Sequence, residues 1–350
     1  MAFLAEYGLF LAQVVTLVIA VIFVVGSIVS LISRSRGNDN KSGERIKLTH
    51  LNDTLKNYQE TFDDALLDKE TLKTRDKQQK KQDKQDRKAR KKGTQEPPKP
   101  RVFVLDFDGD INASETEQLR EEITAVLAVA KPQDEIVVRL ESPGGVVHDY
   151  GLASSQLDRI IKRQIPLTVC VDKMAASGGY MMACVANKII AAPFAAIGSI
   201  GVAAQMPNLH RLLKKNDVDY EVLTAGEYKR TLTVLGENTE KGRQKFLDDL
   251  EDIHQLFKGY VAEHRPQLDI QDVATGEYWY GIRALEKKLV DELQTSDDYL
   301  IAACDRAEVY QVTKHQKQSL QDRLGLSVEK TADRLLLRWY QRFNNGFKFQ

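Results

Sequence analysis

Between Arg101 and about residue 312, short runs rich in β-branched and apolar residues alternate with stretches of helical periodicity. The runs are Val102–Phe107, Glu135–Glu141, Leu167–Asp172 and Lys188–Ala192; helices are expected over 115–130, 147–163, from Gly178 onward and over 238–265. Further strands are expected at Ile200–Ala204 and Tyr220–Thr224. Parallel strands need a crossover segment between them, and a helix is the usual one, so this alternation points to an α/β domain with a mainly parallel sheet. Residues 181–206 are apolar enough to suggest a membrane span, but Asn187, Lys188 and Pro193 interrupt them, and buried core is the better reading.

One turn in this pattern has chemical potential. Leu167–Val171 leads into Met174-Ala175-Ala176-Ser177-Gly178-Gly179-Tyr180, and a helix-compatible stretch follows. A serine between a strand and a helix start, flanked by residues too small to shield it, presents its Oγ. The next backbone N–H groups and the helix dipole favour developing negative charge. Such a site suits acyl transfer if something can take the hydroxyl proton.

The rest of the chain is organised differently. Residues 8–33 carry no charged side chain. As a helix they would span about 39 Å at about 1.5 Å per residue, enough to cross a bilayer core. The start carries Glu6 and no Lys or Arg, and the apolar stretch is long, so an uncleaved anchor fits better than a signal peptide. Arg34, Arg36, Lys41, Arg45 and Lys47 follow it, which by the positive-inside rule places the remainder in the cytosol; processing of exported chains would suit the periplasmic face instead. Residues 72–101 form a Lys/Gln/Asp/Arg tract with 13 basic and 4 acidic residues. With no aromatic residue for base stacking, it reads as a solvated tether that can touch anionic lipid rather than a nucleic-acid binder. Cys170, Cys184 and Cys304 lack metal-ligand spacing and read as small core residues.

Two residue classes could serve as the base. None of the six histidines lies in a motif, and all read as ordinary surface residues; there is no His-Glu-x-x-His, and His254 and His264 lack ligand spacing. Asp106, Asp108, Asp110 and Glu117 fall at calcium-loop spacing, but Ile111 occupies the position that demands glycine. Lys229, in Thr224-Ala225-Gly226-Glu227-Tyr228-Lys229-Arg230-Thr231, follows an expected strand. A lysine amine works as a base only when unprotonated, which burial beside apolar groups favours. A third element, Glu141-Ser142-Pro143-Gly144-Gly145-Val146-Val147, ends a strand with two glycines that let the backbone approach a ligand closely.

In this order, Ser142-Pro143-Gly144-Gly145, Met174–Tyr180, Gly198-Ser199-Ile200-Gly201-Val202 and Gly226–Lys229 resemble the signal peptide peptidase A family of serine proteases, in its membrane-anchored branch with a single catalytic core. The resemblance covers about residues 99–310. It implies a ClpP/crotonase-like fold of repeated ββα units and a Ser-Lys dyad in place of a triad. By motif, Ser177 would be the nucleophile and Lys229 the general base and later acid. The N–H groups of Gly145 and Gly178 would form the oxyanion hole, and Ser199 could orient the lysine amine. The resemblance further implies a homo-oligomer with active sites near subunit interfaces, no cofactor or metal, and a place in the bacterial inner membrane. The chain then divides into an anchor (1–33), a polar, basic and partly disordered tether (34–98), a peptidase domain (99–312) and a basic C-terminal extension (313–350). That extension is a candidate amphipathic helix through Leu335, Leu336, Leu337, Trp339 and Tyr340. The leading function is a membrane-anchored serine endopeptidase acting on apolar peptides such as signal-peptide remnants. The competing readings are a crotonase-like acyl-CoA enzyme and a catalytically inactive membrane scaffold.

Overall fold

The structure, a computed structural model, describes residues 44–68, 99–316 and, between them, 70–72, 74, 77 and 81. Ile46–Lys314 form one compact unit. The expected anchor, the basic tract beyond residue 81 and the C-terminal extension beyond residue 316 lie outside the described residues. Among the described residues, no helix is long and apolar enough to cross a membrane.

Among the described residues ten strands and nine helices form and are numbered in chain order; two of the helices, α7 (Ile270–Val273) and α8 (Gly281–Glu286), are short. The main sheet has seven strands in the order β1-β10-β2-β3-β4-β6-β9. These are β1 (Glu44–His50), β2 (Arg101–Asp108), β3 (Glu135–Glu141), β4 (Leu167–Val171), β6 (Lys188–Ala191), β9 (Glu292–Leu293) and β10 (Glu308–Gln316). From β10 to β9 every neighbouring pair is parallel. A parallel sheet is covered on both faces, so its strands must be apolar on both, and all five residues of β4 are buried. Successive side chains point to opposite faces. Leu105, Phe107, Val138, Leu140, Val169 and Val171 face one core, covered by α2 (Thr116–Leu127), α3 (Val147–Ile161) and α4 (Gly178–Ala183). Val104, Val137, Cys170 and Ile190 face the other, covered by Leu300, Ala303 and Ala307 around α9 (Ser296–Arg306).

A second, three-stranded sheet has the order β5-β7-β8, made of β5 (Met174–Ala176), β7 (Ala196–Gly198) and β8 (Tyr278–Tyr280). The pair β5–β7 is parallel and β7–β8 antiparallel. The expected α/β architecture is therefore present, with mixed sheets. The apolar stretch at 181–206 is core as expected, with Met182–Ala186, Ile189–Ala191 and Ala195–Ile197 buried. α6 (Glu240–His264), the long C-terminal helix expected at 238–265, is capped by Thr239, whose hydroxyl accepts from the Gly242 N–H at 3.1 Å.

Two differences from the sequence reading have local causes. The segment expected to be tether carries β1 and α1 (Leu51–Leu66), so ordered structure begins well before residue 99. One asparagine ties this piece down: the Asn52 amide donates to Cys304 O and Ala307 O at 2.9 and 3.0 Å and accepts from Val309 N–H at 2.8 Å. His50 stacks on Tyr310 with ring centroids 4.8 Å apart. The strands expected at Ile200–Ala204 and Tyr220–Thr224 do not form. β propensity becomes a strand only where a neighbour takes the backbone hydrogen bonds, and 220–224 is exposed throughout.

Candidate active site

The loops that follow β2, β3 and β5 meet at the carboxyl ends of the parallel strands, where open α/β sheets commonly bind ligands. Ser177 sits between β5 and α4 with φ 52° and ψ −118°. A side-chain-bearing residue at positive φ costs about 1–3 kcal/mol and persists only where its surroundings over-determine it. Here they do. The Ser177 N–H donates to Gly198 O at 2.7 Å, and its carbonyl accepts from Met181 N–H at 3.0 Å to begin α4. Beyond Ser177, only glycine fits at Gly178, where a Cβ would lie 2.4 Å from Cγ of the buried Tyr150. The half-buried serine therefore stands on a turn its neighbours hold fixed.

The loop after β3 closes over this turn. Gly144 has φ +82°, and a Cβ there would lie 2.6 Å from Ala176 O and 2.7 Å from Ser177 Cβ. A Cβ on Gly145 would lie 2.0 Å from Ile111 O, while Val146 N–H donates to that same carbonyl at 2.9 Å. Gly178 opens α4, so its N–H has no acceptor within the helix. The Gly145 N–H donates to no acceptor among the described residues.

Ser177, Gly144, Gly145 and Gly178 line one groove of about 750 Å³. Its apolar walls come from Ile111, Val147, Met181 and Val202, with Ile253 and Phe257 from α6, and Gln205, His254 and Thr275 add polar groups. Ser199 also lines it, at φ 53°, with its N–H donating to Glu277 O at 2.7 Å and its hydroxyl to Gly276 O at 3.4 Å.

Lys229 is elsewhere. It is not among the groove-lining residues, its side chain is exposed, and its N–H closes a turn onto Gly226 O at 3.2 Å. The adjoining residues fasten this turn to the beginning of α6. Glu227 pairs with Lys241 at 2.6 Å, and the Lys241 and Lys245 ammonium groups lie 5.9 and 5.7 Å from the Tyr228 ring centroid. From Lys245 to Ile253, where α6 reaches the groove, is eight residues, or about 12 Å at the helical rise. Four of the five residues singled out from sequence thus come together, and the fifth does not.

Sequence reasoning passed over two residues that belong here. His254, taken for a surface histidine, lines the groove with its side chain only 19% exposed. Its Nδ1 lies 3.9 Å from the Glu251 carboxylate, and its buried Nε2 has no hydrogen-bond partner among the described residues. A signal was present, because His254 precedes Phe257 by three residues, and Phe257 and Val261 are the buried residues of that helix. Tyr150 is the other, fully buried beneath Gly178. Burial pushes the Cys170 and Cys184 thiols far above their usual range, in line with inert core cysteines.

Comparison with known proteins gives this geometry a context. A model of peptidase family S49, N-terminal, matches residues 2–157, and a model of peptidase family S49 matches residues 159–310. A probable protease SohB of Haemophilus influenzae is 50% identical over 99% of this chain and 99% of its own length. A probable protease SohB of Buchnera aphidicola subsp. Acyrthosiphon pisum is 47% identical over 97% of this chain and 98% of its own length. Among solved structures, a mutant of the 1510-N membrane-bound stomatin-specific protease with a substrate peptide aligns at 16% identity and a TM-score of 0.40. That alignment covers 66% of this chain and 98% of the other.

Proposed function

This chain belongs to peptidase family S49, a family of serine-type proteases, and on that premise we propose that it is a membrane-anchored endopeptidase in which Ser177 attacks the scissile carbonyl. The observation that carries this reading is the strained Ser177 turn, enclosed by the Gly144-Gly145 loop and the start of α4 within one groove. Lys229 takes the Ser177 proton as the Oγ–carbon bond forms. The N–H groups of Gly145 and Gly178 receive the charge on the carbonyl oxygen. The lysine ammonium then protonates the departing amine, and water hydrolyses the acyl-enzyme. The apolar groove walls favour apolar peptides, the class to which signal-peptide remnants belong.

The position of Lys229 supports a further element of the proposal, that a second copy of the chain completes the site. As a base Lys229 must leave bulk solvent, yet in one chain its side chain is exposed and outside the groove. The segment around it exposes Val218, Tyr220, Val222, Leu223 and Tyr228, apolar surface that an interface would cover. The uncharged stretch at residues 8–33 is the proposed anchor, in the bacterial inner membrane, with the domain on the cytosolic side by the charge that follows it. The ClpP/crotonase-like assignment draws support from the successive strands β4 and β5 before α4, and β6 and β7 before α5 (His210–Lys215); β2 and β3 lead directly into single helices.

The test is hydrolysis of an apolar peptide by purified full-length protein. Ser177→Ala and Lys229→Ala are each expected to reduce turnover to background with the fold intact, and Ser177→Ala to lose labelling by a serine-directed acylating probe. Unchanged turnover in either variant would sink the dyad. Mixing the two variants should restore part of the activity if the dyad forms between chains, and none if it forms within one.

A further inference from the structure

Behind the two proposed oxyanion glycines lies a buried hydrogen-bond relay. Ser142 and Tyr150 are both fully buried. The Tyr150 hydroxyl donates to Asp110 O at 2.7 Å. A carbonyl can only accept, so the single phenolic proton is spent there. The 2.6 Å contact between Ser142 Oγ and Tyr150 Oη must then be a bond donated by the serine. The serine oxygen in turn accepts from Gly144 N–H at 3.0 Å, a group that can only donate. The direction is forced at every step: Gly144 N–H to Ser142, Ser142 to Tyr150, Tyr150 to Asp110. Burial pushes the phenol above its usual range, so the relay keeps its proton.

The relay joins the two sides of the proposed hole. The Tyr150 ring fills the space beneath Gly178, which a Cβ would enter at 2.4 Å from Cγ. Its hydroxyl reaches through Ser142 to the loop that carries Gly145. Ser142 is also fixed to the strand leading to the nucleophile, since its N–H donates to Met174 O at 2.9 Å and its carbonyl accepts from Ala176 N–H at 3.0 Å. At its far end, Asp110 adjoins Ile111, whose carbonyl holds Val146 N–H at 2.9 Å. A core needs the ring for packing but not the hydroxyl, which here ends on a functional loop.

We infer that Tyr150 and Ser142 are positioning residues for peptide hydrolysis, holding the Gly145 N–H against the Gly178 N–H so that both meet the developing oxyanion. This rests on the Ser177, Gly145 and Gly178 reading above. It predicts an effect confined to the tetrahedral state. Tyr150→Phe keeps the ring and leaves the Ser142 hydroxyl without its acceptor; Ser142→Ala removes the acceptor of Gly144 N–H with a small change in volume.

Each variant should lower kcat about tenfold, less than outright loss of a donor, with KM within about twofold. A peptide aldehyde, which forms a tetrahedral adduct with the serine, should lose affinity by the same factor as kcat/KM. The corresponding peptidyl alcohol, which cannot form the adduct, should bind as it does to the parent. Equal losses for aldehyde and alcohol, or parental kcat in both folded variants, would overturn the inference. Ser177→Ala separates this from the parent reading. If Ser177→Ala is inactive while Tyr150→Phe and Ser142→Ala behave as the parent, only the positioning role falls. If Ser177→Ala still hydrolyses peptide, the site itself has been misassigned.

Discussion

Around Ser177 the chain is held from every side, with the serine's N–H on Gly198, its loop pressed by Gly144, and Tyr150 beneath Gly178. Around Lys229 every residue from 214 to 230 is exposed, and the segment is fastened chiefly through Glu227 and Tyr228 to the start of α6. One half of the proposed dyad is preorganised by its own fold, and the other half stands exposed among the described residues. Preorganised backbone donors act without reorganising at the moment of reaction, so rigidity is useful where charge develops. A base that gains its environment only on assembly ties activity to that assembly.

The sharpest way to break this contrast is to disturb the rigid half. Gly178→Ala places a methyl group 2.4 Å from a ring atom of the buried Tyr150. Turnover should fall by roughly a hundred- to a thousandfold as the proposed oxyanion donor moves, and stability by about 1–3 kcal/mol from overpacking. Thermal melts and peptide hydrolysis measured together should show both losses.

Lys229→Ala is the mirror experiment. Its side chain makes no hydrogen bond or ion pair among the described residues, so the fold should not register its removal. Melting should stay within about 0.5 kcal/mol of the parent, as for most exposed positions, while turnover drops to background. A large fall in melting temperature would mean that the lysine is already built into the fold, and the contrast would fail.

A weaker perturbation tests the exposed surface itself. Leu223 is 88% exposed in the single chain. Leu223→Asp should leave secondary structure and monomer stability unchanged but shift sedimentation toward smaller species. Turnover should fall by about tenfold through weakened assembly, the order of one lost apolar contact at an interface. Parental sedimentation together with parental turnover would remove this surface from the proposed interface.

The same contrast governs how much could be read from sequence. β2, β3, β4 and β6 were legible because a strand buried on both faces must be an apolar run, and the Ser177 turn because only small residues fit its close contacts. β1 was not, because its place depends on Asn52 reaching groups about 250 residues away. Tyr220–Thr224 has the composition of a strand but no strand partner among the described residues, and β8 forms because β7 lies beside it. Tyr150 carries no local mark of function, and His254 only its place three residues before Phe257 on the buried stripe of α6. Tyr150 matters through Asp110, 40 positions earlier, and His254 through the groove it faces. Local sterics are written into neighbouring residues, whereas long-range hydrogen bonds are not.

His254 gives the smallest expected effect and refines the contrast from within the rigid half. Its buried Nε2 lacks a partner among the described residues. A buried polar atom left unsatisfied costs about 1–3 kcal/mol, and replacing it with an apolar group of similar shape is neutral or stabilising. His254→Leu should therefore raise stability by up to about 1 kcal/mol. If a bound peptide supplies the missing partner, the same variant should raise KM by about threefold with kcat unchanged, roughly the worth of one neutral hydrogen bond. His254→Gln, which keeps a donor and an acceptor, should recover part of the lost affinity. A rise in stability without a change in KM would make the orphaned nitrogen a packing fault of the groove wall. A rise in both would show that the preorganised half holds one bond in reserve for its substrate.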